Sequence, residues 1–65
     1  MTTTFNRLKV RRAELNLKQK DVAASAGIST QYLFLLEHGK AKNPSIPIMK
    51  KLAVALQSSP QELFF

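Results

Sequence analysis

Gln31 carries a side-chain amide that donates and accepts hydrogen bonds at once, and Thr30 beside it offers a hydroxyl and a methyl group. Groups of this kind recognise hydrogen-bonding edges rather than break bonds. Nothing else in the chain suggests catalysis. Its four acidic residues, Glu14, Asp21, Glu37 and Glu62, are scattered, so no pair of carboxylates is available. There is no activated nucleophile with a base and no phosphate loop, so an enzyme is not expected. The chain has no cysteine and a single histidine, His38, which rules out a disulfide framework and leaves a metal centre without ligands. No metal and no cofactor is expected. Ten Lys and Arg against four Asp and Glu give a net charge of +6 over 65 residues. That balance favours a polyanionic partner, although a merely solvated basic surface has the same charge.

The elements that must position Thr30 and Gln31 are legible in residues 19–38, QKDVAASAGISTQYLFLLEH. Val22, Ala23 and Ala26 make one narrow apolar stripe, which predicts a helix over 19–26. Gly27 follows at a position where a left-handed residue ends a helix without strain at Cβ. Ile28 restarts the apolar pattern, and Ser29 is a good N-cap for a second helix over 29–38. Ala23 is small where the two helices would cross. Helix, short turn with glycine, helix: this is a helix-turn-helix unit, whose second helix can enter a DNA major groove.

Leu33 and Leu36 fix the inward face of that second helix. Thr30, Gln31, Phe34 and Leu35 then lie opposite, with His38 one turn later. Gln31 can bond adenine through N6 and N7, and Thr30 can bond a base edge or set its methyl against thymine. The plain alternative for Gln31 is a solvated helix residue. Phe34 and Leu35 are large and apolar for such a face. Contact with thymine methyls is the preferred reading. They can instead wedge against a sugar edge or dock another protein, and Phe34 can fold back into the core.

The remaining chain reads as three more helices. Phe5, Leu8, Arg12 and Leu15 share one face of a helix over 5–15, and an arginine within that stripe needs a partner. Arg7, Lys9 and Arg11 fall on the outer faces as solvated residues. Asn16 and Leu17 make a short connection, and Lys18 stands, as a poor cap, before the next helix. Ser45 is the expected cap of a helix over 46–56 with Pro47 in its first turn and Ile46, Met49, Leu52, Ala53 and Leu56 as core. Ser59, Pro60 and Glu62 form a capping box for a short helix over 60–64, with Leu63 tucked beneath the bundle. The expectation is one all-α domain over residues 1–65. With no signal peptide and no long apolar run, it is expected to be cytoplasmic.

Gln19, Ala23, Gly27, Ile28, Leu33, Leu36, Glu37 and Gly39, followed by Lys40, Pro44 and the run KKLAVALQSSPQELF, resemble the DNA-binding domain of Xre/Cro-type phage repressors, the lambda-repressor-like fold. The likeness extends from about residue 8 to 64. It implies a compact five-helix domain that binds duplex DNA, usually as a dimer on a near-palindromic operator, in a bacterial or phage-infected cell. It implies that Thr30, Gln31 and Leu35 read base edges, and that Arg12 pairs with Glu37. Phe34 and Leu35 depart from the small or polar residues common there.

Phosphate contacts would hold the domain without reading sequence. Gln19 and the first N–H groups of its helix form one expected anion site, with Arg11, Lys18 and Lys20 nearby. Lys40, Lys42, Asn43 and the helix start at Ser45 form a second. Ser29, His38 and Tyr32 are further phosphate candidates; Tyr32 can equally pack on the first helix. Leu63, Phe64 and Phe65, with Gln57 and Ser58 nearby, are the expected dimer contact. The leading reading is a sequence-specific DNA-binding transcriptional regulator, of the repressor kind. The competing one is an antitoxin-like protein-interaction module that binds DNA secondarily.

Overall fold

Two left-handed glycines and two serine caps mark four of the helix boundaries. The computed structural model describes residues 7–42 and 44–65. Within them the chain forms α1 (Arg7–Glu14), α2 (Gln19–Ala26), α3 (Thr30–Glu37), α4 (Ile46–Ala55) and α5 (Pro60–Phe64). No strand occurs among the described residues. Residues 5 and 6 of the expected first helix, Phe5 included, lie outside the described set.

Four of these boundaries have a local cause in the sequence. Gly27 adopts φ +73°, and its N–H together with that of Ile28 closes onto the carbonyls of Ala23 and Ala24, ending α2. Ser29 is extended, and its Oγ accepts the N–H of Tyr32 at 3.0 Å, which starts α3. Gly39, at φ +68°, turns the chain away after α3, with the Lys40 N–H donating to the Leu35 carbonyl at 2.8 Å. At α5 the capping box is complete: Ser59 Oγ accepts from the Glu62 N–H, and the Glu62 carboxylate accepts from the Ser59 N–H.

α2 packs on α3 and α4, while α5 packs on α4 and α1, and α1 also touches α3. The core they enclose is Leu8, Val22, Ala23, Ala26, Leu33, Leu36, Leu52, Ala53, Leu56 and Leu63, with Leu33 and Leu52 wholly inaccessible. Each fully buried leucine contributes about 1.5–3 kcal/mol. Ala23 is almost wholly buried and belongs to this core.

Three sequence expectations are corrected here. Ile46, expected in the core, is 54% exposed. It stands at the first position of α4, ahead of the turn where Met49 and then Leu52 meet the bundle. Ser45 occupies the N-cap of α4 with extended backbone, but its side chain makes no capping bond. Leu63, expected at a dimer contact as well as beneath the bundle, belongs to the core and is only 8% exposed. Among the described residues, no helix is long and apolar enough to cross a membrane.

Candidate nucleic-acid interface

α3 is held by its inner side so that its outer side stays clear. Leu33, Leu36 and Glu37 are buried, whereas Thr30, Gln31, Phe34 and His38 are exposed. Leu35 is half-buried, so it presents only part of its side chain. Tyr32 is half-buried and packs against the core. Phe34 does not fold back into the core. Its ring lies 4.0 Å from that of His38, centroid to centroid, with the planes tilted by 47°.

Glu37 is the polar anchor of this arrangement. It is only 3% exposed, yet three donors converge on it. Its Oε2 accepts from Arg12 Nε at 2.6 Å, and its Oε1 accepts from Arg12 Nη2 at 3.0 Å and from Gln19 Nε2 at 3.1 Å. Arg12 Nη1 donates to the Leu17 carbonyl at 3.0 Å. One carboxylate thus ties α1, the start of α2 and the end of α3 together. The fork-on-fork geometry of the arginine pair is the strong form of such contacts. The hydrogen bond to Glu37 holds the Arg12 pKa above its ordinary value; burial acts against this, and the Glu37 charge adds to it. The stability linked to that raised pKa is present below the ordinary arginine value and fades as the pH rises through the raised one, in strongly alkaline solution. Among the described residues, no buried side-chain nitrogen or oxygen lacks a partner.

The phosphate candidates separate into two groups. Lys18, Lys20, Lys40 and Lys42 are exposed. The loop carrying Lys40 and Lys42 is fastened by Ala41, which packs on the core, and by buried Pro44. Ser29 and Ser45 stand at the N-caps of α3 and α4. Asn43 lies outside the described residues.

Arg11 and Gln19 behave otherwise. Arg11, expected on a solvated face and then on a phosphate, turns to the α4–α5 turn. Its Nε donates to the Leu56 carbonyl at 2.9 Å and to Ser58 Oγ at 3.0 Å, and its Nη2 to the Gln57 carbonyl at 3.2 Å. Its Nη1 meets Glu14 at 3.3 Å. Gln19, expected to face a phosphate, gives one amide hydrogen to Glu37, because a buried carboxylate with one arginine partner still has acceptor capacity to fill. That surplus was the sequence signal for this contact. The Arg11 contacts left no comparable signal, since three of their acceptors are two backbone carbonyls and a serine hydroxyl.

Of the expected dimer residues, Phe64 is half-buried against the core and Phe65 is 75% exposed. Ser58 and Gln57 are the residues that receive Arg11. Among the described residues, no group of three or more metal-ligating side chains comes together.

Comparison with known proteins follows the same lines. The Helix-turn-helix family matches residues 8–63. The chain is 44% identical over 52 residues to an uncharacterized HTH-type transcriptional regulator, y4dJ, of Sinorhizobium fredii, a match covering 80% of this chain and 66% of that protein. The fold superposes on the restriction-modification controller protein C.AhdI from Aeromonas hydrophila with a TM-score of 0.79 and 36% identity, covering 89% of this chain and 86% of that one. It also superposes on a chain of the SinR protein/SinI protein complex with a TM-score of 0.80 and 31% identity, covering 89% of this chain and 56% of that one. The chain therefore spans about two thirds of the first of these proteins and just over half of the last. With the family matched across all five helices, from Leu8 to Leu63, the chain belongs to the helix-turn-helix family of the Xre and lambda-repressor type.

Proposed function

We propose that the protein is a sequence-specific, double-stranded DNA-binding transcriptional regulator, acting as a repressor, that lays α3 in the major groove. The observation that carries this reading is the division of α3: Leu33, Leu36 and Glu37 seal its inner face while Thr30 and Gln31 stand in solvent. Gln31 reads an adenine through two hydrogen bonds, and Thr30 reads the neighbouring edge. Lys18, Lys20, Lys40 and Lys42 neutralise phosphates on either side of the groove. The names of the matched relatives, two of them regulators or controllers, point the same way.

Two copies would place their α3 helices in successive major grooves, about 34 Å apart, on a near-palindromic site. With Leu63 in the core, the apolar surface left for such a contact is centred on Phe65 and the outer part of Phe64.

Selection of bound duplexes from a random pool tests this reading. It should return two inverted half-sites one helical turn apart. With about four phosphates neutralised per subunit, the log–log salt dependence of dimer binding should have a slope near −7. A pool without enrichment, bound with the same slope, would leave only nonspecific association.

The exposed ring of Phe65 favours a second reading, a protein-interaction module that binds DNA secondarily. A stoichiometric protein partner that competes with DNA would support it.

A further inference from the structure

Phe34 is 43% exposed on the same face of α3 as Thr30, one turn further along. A large apolar side chain left in water contributes little to folding there. It rests on His38 at 4.0 Å, so two aromatic rings form a single ledge at the C-terminal end of the face. The other exposed large apolar residues among those described, Val10, Ile46, Val54 and Phe65, lie on α1, on α4 and at the end of the chain.

A phenyl ring can neither donate nor accept the hydrogen bonds that distinguish most base edges. Set against a polar edge it would strip water without replacing it. The major groove displays one apolar group, the methyl at C5 of a pyrimidine. We propose that Phe34, braced by His38, reads that 5-methyl group, whether of thymine or of 5-methylcytosine. This rests on the placement of α3 proposed above and assigns the residue that selects one chemical group within it. Phe34 makes the contact. His38 is a positioning residue: by occupying one side of the ring it limits the orientations that binding would otherwise have to freeze. The consequence is a regulator whose affinity responds to a methyl group on the DNA with no change in base pairing.

The test uses the duplex returned by selection, with each thymine replaced in turn by deoxyuridine, which removes only the methyl. In the unaltered protein, one thymine per half-site should be sensitive. Removing its methyl should raise Kd about fourfold, and removing both half-site methyls about fifteenfold, as expected for one buried carbon each. Phe34→Ala should bind both duplexes equally, and His38→Ala should show a reduced ratio. Circular dichroism of both variants should match the parent, since both side chains are exposed. Uniform indifference of the parent protein to deoxyuridine would overturn the proposal. So would a Phe34→Ala variant that keeps the fourfold ratio, or a ratio abolished by Thr30→Ala instead. In the last case α3 still lies in the groove and the methyl belongs to Thr30. If replacement of Thr30 and Gln31 leaves the selected sequence unchanged, the placement of α3 itself is what fails.

Discussion

Arg11 and Arg12 are neighbours on α1, yet they fasten two different parts of the molecule by two different means. Arg12 turns toward α3 and meets a carboxylate that is almost wholly enclosed, with two parallel bonds to Glu37. Arg11 turns toward the α4–α5 turn and meets backbone carbonyls and a hydroxyl, with its side chain one third exposed. The first joint is charge against charge in a dry setting, where losing one partner strands the other. The second is charge mainly against dipoles, with one exposed carboxylate, near water that can replace what is lost. The first sets the attitude of the helix proposed to read DNA. The second sets the end of the chain.

The largest effect should come from breaking the Arg12 joint. Arg12→Ala leaves Glu37 buried without its main counter-charge and should lower stability by about 3–5 kcal/mol in denaturant unfolding. Replacing both members with apolar residues of similar volume should cost less than the single change. If the double replacement is the worse of the two, the strain lies elsewhere. Arg11→Ala should cost less, about 1–2 kcal/mol, because its hydrogen bonds are charge-assisted but partly wet. A loss as large as that of Arg12→Ala would erase the distinction between the joints.

A sharper test uses the turn that Arg11 holds. Gln57 sits there at φ +51°, a conformation that costs a side chain with Cβ roughly 1–2 kcal/mol. Gln57→Gly relieves that strain, keeps the backbone carbonyl that Arg11 binds, and adds some freedom to the unfolded chain. Its net effect should be a gain of about 0.5–1 kcal/mol, seen as a higher unfolding midpoint. Glu14→Ala should change the midpoint least, within about 0.5 kcal/mol, since the Arg11–Glu14 contact is exposed.

The same contrast explains what could be read from the sequence. The helix boundaries at Gly27, Ser29 and Ser59 follow from residue types with one strong local preference, and all three appear as expected. The Arg12–Glu37 pair was legible because it joins two side chains of opposite charge at positions that resemble a known family. Arg11 was not, because its acceptors are mostly backbone atoms, which every residue possesses. Asn16 and Gln57 end helices with positive φ without a glycine to announce it. Ile46 fitted a 3–4 apolar repeat but sits where α4 has not yet reached the bundle. Periodicity finds the side of a helix that faces inward, not how far along the helix the neighbour extends.

The central claim is that the outer face of α3 discriminates between DNA sequences, and a Thr30→Ala, Gln31→Ala double variant tests it most directly. Affinities for the selected site and for a scrambled duplex should be measured at one salt concentration. The ratio between them should collapse by about 10- to 100-fold, while scrambled-duplex affinity, salt slope and unfolding midpoint stay as they were. A ratio preserved in the double variant would contradict it.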